Sequence, residues 1–307
     1  MKKNYIKTFE SFDSNTTEEE SNELIRSVLY KYEDMYNTNP FDSLLFRGTD
    51  YHIQSKFKII NPKATRKSIS FATENFDAIH NLWMSEHSDW KDYPSRKKEC
   101  TIASTDYDYA SQFGHSTYVI FPLNISTTNI GVCPASDLIH SFSNTIKKTI
   151  TIGSQNIEPN IESFSLVLYK IFKEYSDKIN LDVQEDSYNS LITNLKIIND
   201  DILTEYKFRG LIRLIRANTR EQNILESIHY YCNDNNKTLI DYFQELLNPI
   251  KNNFELIQNI SELDNIPKSH NGHEVWFNGP AIFMEIDNHE IPKIETILEK
   301  IHRYINS

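Results

Sequence analysis

The sequence predicts an α+β fold, a β-containing domain interrupted by a large all-helical insertion. Two observations carry this. Between residues 44 and 150 the apolar residues fall in short β-branched and aromatic runs, divided by Asn, Asp, Gly and Pro. From 157 to 260 they recur at helical spacing, and strand character returns at 273–286. The expected division is a flexible arm at 1–20, an α+β domain built from 21–156 and 261–307, and a helical insertion at 157–260.

The arm is polar and ends in Thr16-Thr17-Glu18-Glu19-Glu20. Residues 21–36 then bring Leu24, Ile25, Val28, Leu29 and Tyr32 onto one helical face, with Ser21 or Asn22 as the cap. The cluster around Asn39-Pro40 stops that helix. The runs at 44–48, 57–60, 68–73, 100–105, 116–123 and 128–134 read as strands, and 75–90 and 106–113 as helices between them. Helical periodicity covers 163–179, 188–206, 208–218, 223–232 and 239–247, ending at Pro249. Strands at 273–277 and 281–286 and a helix at 291–305 complete the chain.

At 307 residues there is room for two domains, and 17 Tyr with 17 Phe supply core area that an apolar fraction of 39% would otherwise lack. A net charge of −11 excludes a broad electrostatic footprint for bare nucleic acid. The series Arg209, Arg213, Arg216 and Arg220 reads by default as a salt-bridged helix face, with Glu205, Glu221 and Glu226 nearby. The three cysteines have no metal-ligand spacing, which points to a reducing compartment. No apolar run approaches membrane-spanning length, so a soluble intracellular protein is expected. His270, His273 and His289 read as solvated loop histidines, and no metal is expected.

Three strings carry chemistry. Arg47 ends an apolar strand and is followed by Gly48; a guanidinium fork matches phosphate oxygens, and glycine lets backbone approach a ligand. Read alone, Arg47 is better explained by a salt bridge at the rim. Ser104-Thr105-Asp106 closes a strand before a short capped helix with Ala110 and Phe113 on its inner side. Two hydroxyls there suit fixing a ligand or a carboxylate. Glu274 heads the run Glu274-Val275-Trp276-Phe277, where a carboxylate suits binding a ribose hydroxyl or steadying an oxocarbenium-like centre. The bland reading is a strand-end carboxylate in water.

Taken in order, these strings resemble the ADP-ribosyltransferase family of the arginine–serine–glutamate type. The residues that carry the resemblance are Phe46-Arg47-Gly48, then Ser104-Thr105 with Ala110, Phe113, Gly114 and the strand from Tyr118 to Phe121, then Glu274 to Pro280. It covers about 44–135 and 265–287. It implies an ADP-ribosyltransferase-like β core that consumes NAD as substrate and needs no metal. Arg47 and Gly48 would hold the pyrophosphate, Ser104 or Thr105 would position Glu274, and Glu274 would hold the ribose 2′-hydroxyl as nicotinamide leaves. Phe113, Tyr109 or Phe71 would lie against nicotinamide, and Phe113 is carried as the binding residue. The acceptor would be a host protein or nucleic acid, with no membrane partner. The chain also resembles bacteriophage proteins that open with a Lys-Thr-Phe-Glu-x-Phe segment, here residues 7–12. That implies action in the host cytoplasm or packaging into the virion, and leaves a non-enzymatic virion or host-interaction protein as the alternative.

Two departures bear on the acceptor. Gly272 stands where the arginine-modifying branch carries Glu or Gln, so transfer to another acceptor, or hydrolysis of NAD alone, stays open. Asp106 occupies the third place of the hydroxyl string, and Ser68-Ile69-Ser70 is a competing source of the hydroxyl. The helix behind Ser104-Thr105 favours 104–105.

Overall fold

The structure, a computed structural model, describes residues 10–11, 18–50, 56–62, 77–96, 100–124, 129–142, 151–152, 155–156, 167–168, 170–174, 188–286 and 293–307. It is α+β, as expected, and divides into two units. One comprises residues 1–65, 92–137 and 254–307; the other comprises 66–91 and 138–253. The division differs from the expected one at both junctions. The second unit takes in 138–156 ahead of the expected start at 157 and ends before 254, and residues 66–91 group with it as well.

The first unit is built on an antiparallel sheet. Its strands are β1 (Glu10–Ser11), β2 (Phe46–Thr49), β3 (Phe57–Asn61), β4 (Cys100–Ser104), β5 (Ser116–Pro122), β6 (Ile130–Val132), β9 (Glu255–Ile257), β10 (Glu274–Asn278) and β11 (Ala281–Glu285). Hydrogen bonds order them β1-β3-β11-β5-β2-β4-β10-β6-β9. Residues 10–11, expected in a free arm, pair with Ile60 and Asn61 of β3. Strand β9 falls inside the span expected for the helical insertion, beyond its last expected helix; it pairs with β6, Ile130 facing Ile257. A run of three residues carries no period that separates strand from helix.

Strands β10 and β11 are joined by Gly279 and Pro280 alone, yet β4, β2 and β5 lie between them in the order. On a flat sheet the four intervening steps would span roughly 19 Å at about 4.8 Å each. Three Cα–Cα steps reach at most about 11 Å. The sheet therefore curls until β10 and β11 meet at a corner. Gly279 there has φ +98. Thr101 Oγ1 donates to the Gly279 carbonyl at 3.2 Å, and the Leu123 N–H donates to the Pro280 carbonyl at 3.1 Å.

Helix α1 (Glu18–Thr38) buries Ile25, Val28, Leu29 and Tyr32 of the face its spacing predicts, but Leu24 is 39% exposed, and the helix starts at Glu18, so Ser21 and Asn22, expected as caps, lie inside it. Helix α9 (Ile294–Ile305) buries Ile294, Ile297 and Ile301. Tyr32 packs edge-on to Phe121 with centroids 5.0 Å apart and donates its hydroxyl to the Pro122 carbonyl at 3.2 Å. Short helix α3 (Tyr107–Ser111) follows β4.

The second unit contains α2 (Asp77–Glu86), α4 (Leu138–Ser141), the hairpin of β7 (Thr151–Ile152) and β8 (Gln155–Asn156), α5 (Tyr188–Leu203), α6 (Glu205–Leu214), α7 (Thr219–Asp234) and α8 (Leu239–Leu246). Residues 167–168 and 170–174 are also helical. Capping boxes start α7, through Asn218 and Glu221, and α8, through Thr238 and Asp241. Helix α7 ends with Asn236 at φ 51, and the Lys237 N–H returns to the Cys232 carbonyl at 2.8 Å, a Schellman close. Trp83 stacks on His87 with centroids 4.5 Å apart, and the Trp90 indole N–H donates to the Leu247 carbonyl at 2.8 Å. Both tryptophans are packing residues. Arg209 pairs with Glu205 at 2.7 Å one turn earlier, the salt-bridged face expected for that arginine.

No helix among the described residues is long and apolar enough to cross a membrane.

Candidate active site

The three strings lie on three neighbouring strands of the first unit. Strand β4 sits between β2 and β10, and Ser104 is the direct partner of both Phe46 and Glu274. Paired Cα atoms across an antiparallel ladder are about 4.5–5.5 Å apart, so Phe46 and Glu274 are about 10 Å apart across Ser104. Residues far apart in sequence thus meet at one end of three neighbouring inner strands.

Each string is fixed by its own local chemistry. Arg47 is 6% exposed, and its Nη1 donates to the Ile102 carbonyl at 2.5 Å. Burial pulls its pKa down to about 10, against the pull of Cys100 and Glu274 in the other direction, so it remains a cation at neutral pH. Gly48 is explained by packing: a Cβ there would lie 2.1 Å from the Ala110 carbonyl oxygen of α3. The close approach at Gly48 is that of a helix on the strand.

The Ser104 Oγ accepts the Asp106 N–H at 3.0 Å. The Asp106 carboxylate then caps α3 by accepting the Tyr109 N–H at 2.6 Å. Thr105 is zipped to the residue before Glu274. Its N–H donates to the His273 carbonyl at 3.0 Å, and its Oγ1 accepts the His273 N–H at 2.8 Å. The hydroxyl string therefore positions the backbone that carries Glu274. Both ring nitrogens of buried His273 face carbonyl oxygens, those of Cys133 at 2.8 Å and Pro267 at 3.0 Å. Far from being a solvated loop residue, it is a buried support. Among the described residues no group of three or more His, Cys, Asp and Glu side chains could hold a metal ion.

Gly272 has a physical cause. Its φ is +70, and a Cβ would fall 2.6 Å from the Asp106 Cβ and 2.8 Å from the Thr105 Oγ1. The turn that seats His273 against Thr105 leaves no space for a side chain at 272.

The Glu274 side chain meets a residue that sequence reasoning did not single out. Arg96 Nη1 lies 2.7 Å from Glu274 Oε1, with side-chain exposures of 4% and 16%. Its guanidinium also covers the Trp276 ring, 5.2 Å from the centroid. Burial pulls the Arg96 pKa down, but Glu274, Cys100 and Cys133 together with the Glu274 hydrogen bond outweigh that and leave it raised. Residues 93–96 run as a strap along the face of β10 that carries Glu274, Trp276 and Asn278. Tyr93 stacks on Trp276 with centroids 6.1 Å apart, and the Pro94 carbonyl accepts the indole N–H at 2.9 Å. The Asn278 amide, in the orientation that satisfies it, donates to Ser95 O at 2.8 Å and accepts from Ser95 N at 3.1 Å. The sequence signal for Arg96 was slight, a basic run at 96–98 just before strand β4.

Of the aromatic candidates, Phe113 is 44% exposed and packs edge-on to Tyr109 with centroids 5.1 Å apart. For Tyr109, burial, then Asp137 and Glu274, push its hydroxyl up to about 12, against a hydrogen bond with Ser136. Phe71 and the competing Ser68-Ile69-Ser70 string lie outside the described residues.

The site so assembled brings two buried arginines, a carboxylate and a half-buried tyrosine to adjoining strands. Such a group can bind an anionic ligand and stabilise a developing cation. Neither a protein-family model, nor a curated protein, nor a solved structure matches this chain.

Proposed function

We propose that the chain is an NAD-dependent ADP-ribosyltransferase with an ADP-ribosyltransferase-like β core, acting on a host protein or nucleic acid. The observation that carries the reading is the register Phe46–Ser104–Glu274, which makes the arginine, hydroxyl and glutamate strings neighbours across adjoining strands. In the proposed reaction the bond between ribose C1′ and the nicotinamide nitrogen breaks, and its electron pair leaves with nicotinamide. Glu274 steadies the resulting cation through the 2′-hydroxyl. An acceptor nucleophile then bonds to C1′ and gives up its proton. Arg47 supplies positive charge for the pyrophosphate, and Tyr109, which feels the Glu274 charge, packs against Phe113 to offer aromatic surface for nicotinamide. With Gly272 sterically obligatory, this chain offers no second carboxylate at that position to activate the acceptor. The acceptor is then a nucleophile that needs no such help, or water.

A second reading is a host-interaction or virion protein that keeps the fold without activity. The net charge of −11 and the lack of a carboxylate at 272 favour it. Incubation with radiolabelled NAD and bacterial host lysate separates the two. Glu274→Ala is expected to lose at least about 100-fold in nicotinamide release and label transfer, the scale of one lost transition-state partner. Equal signals from the wild-type chain and Glu274→Ala would overturn the enzymatic reading.

A further inference from the structure

A buried ion pair is a poor source of stability, because desolvation of both groups offsets their attraction. The Arg96–Glu274 pair nevertheless has its geometry built in. The guanidinium is held flat against Trp276, and the strap that delivers it is tied to β10 through Tyr93, Pro94 and Ser95. The Glu274 backbone is held as firmly from the other side: its N–H donates to the Ala135 carbonyl at 2.9 Å, and its carbonyl accepts the Cys133 N–H at 2.8 Å. Both ends of the interaction are pre-organised, as a group under catalytic load requires.

We propose that Arg96 is the positioning residue for Glu274, fixing its rotamer and its negative charge through the 93–96 strap. This rests on the reading of Glu274 as the catalytic carboxylate. Arg96 engages Oε1, and a carboxylate accepts about four hydrogen bonds over its two oxygens, so the pair is compatible with a ribose hydroxyl donating to Glu274. Other charged or titratable groups around the pair come from each neighbouring element. They are Arg47 of β2, Cys100 of β4, Tyr109 of α3, Cys133 and Asp137 after β6, and His273 beside Glu274 in the chain. The Arg96 guanidinium meets the carboxylate directly, at 2.7 Å, so its removal is expected to change Glu274 strongly.

The test compares wild type, Arg96→Met and Arg96→Lys in two measurements. The first is the pH dependence of nicotinamide release. Arg96→Met is expected to lower kcat about 10- to 100-fold, the cost of a misplaced group, with KM for NAD nearly unchanged. Its acid limb is expected to move up by about one pH unit or more, as when a carboxylate loses an adjacent cation. Arg96→Lys should recover most of that shift. An acid limb that stays with wild type, or a raised KM with unchanged kcat, would overturn the proposal. The second measurement is a carbon-13 NMR titration of Glu274, assigned with Glu274→Gln, which needs no turnover. If wild type releases no more nicotinamide than Glu274→Ala, the enzymatic reading falls by itself. The titration then decides the Arg96 proposal: an unmoved Glu274 midpoint in Arg96→Met overturns it, and an upward shift supports it. If Arg96→Met does not fold, Arg96→Gln, which also removes the cation, carries the test in both measurements, with an upward shift of the same sign expected and no shift refuting it.

Discussion

Replacing Gly272 by Ala sets the local geometry of the site against a measurable stability. The substitution forces an L-residue into φ +70, which costs roughly 1–2 kcal/mol. The new methyl would also stand 2.6 Å from the Asp106 Cβ and 2.9 Å from the Asp106 N, both closer than contact permits. Overpacking of that kind adds about 1–3 kcal/mol. The sum, about 2–5 kcal/mol, corresponds to a fall in Tm on the order of 10 °C. Differential scanning calorimetry or thermal circular dichroism reads it directly. Gly210→Ala is the internal control. It sits inside α6 with nothing within 4 Å of the new Cβ, so a gain of about 0.4–1 kcal/mol is expected. Gly272→Glu, which installs the residue of the arginine-modifying branch, should lose at least as much as Gly272→Ala. If Gly272→Ala melts within about 2 °C of wild type, under the shift expected for 1 kcal/mol, the steric account of this glycine is wrong.

In the second unit, Glu245 accepts hydrogen bonds from Lys237, Lys251 and the Tyr231 hydroxyl. Burial raises its carboxyl, but the three donors lower it further, leaving it at about 2 against an ordinary 4.5. The unfolded chain therefore binds this proton first as pH falls. The associated stability is full above about 4.5 and is lost as pH falls towards about 2. Urea titrations at a series of pH values should show a shallower acid slope for Glu245→Gln; identical slopes would count against the network. Trp276→Phe deletes the N–H that serves the Pro94 carbonyl, and it should cost about 1–3 kcal/mol in denaturant unfolding. A loss under about 0.5 kcal/mol, within the range of an ordinary surface substitution, would mean that the strap is not anchored there.

Much of the secondary structure was legible because periodicity is a local property of the backbone. Leu239, Tyr242, Phe243 and Leu246 recur at helical spacing and are the buried face of α8, and Thr238 with Asp241 caps it. The strand expected at 100–105 and the helix at 106–113 correspond to β4 and α3, with Asp106 as the cap. Strand β9 escaped notice because Glu255-Leu256-Ile257 has no period of its own, and its pairing with β6 supplies its identity. The segment 66–91 was assigned by proximity in sequence, whereas its grouping with 138–253 depends on which distant side chains pack together.

The candidate site divides in the same way. Residue types and local context pointed to Arg47, Ser104, Thr105 and Glu274 as chemically able groups. Gly272 was visible as a departure from a pattern but not as a necessity, because its obstruction comes from Thr105 and Asp106 on a distant segment. The Arg96–Glu274 pair left almost no trace in the chain, since an ion pair is made by two side chains meeting and not by spacing. By itself the sequence determined the α+β class, most of the helix faces, the Asp106 cap, and the chemistry on offer at each strand end, all of which act over a few neighbouring residues. Only the tertiary structure decided the strand order that makes Ser104 the partner of both Phe46 and Glu274, the curl that lets Gly279-Pro280 join β10 to β11, and the cation that meets Glu274. Those depend on hydrogen-bond ladders and packing between remote segments, where closure of the chain selects one pairing among many that local propensity allows.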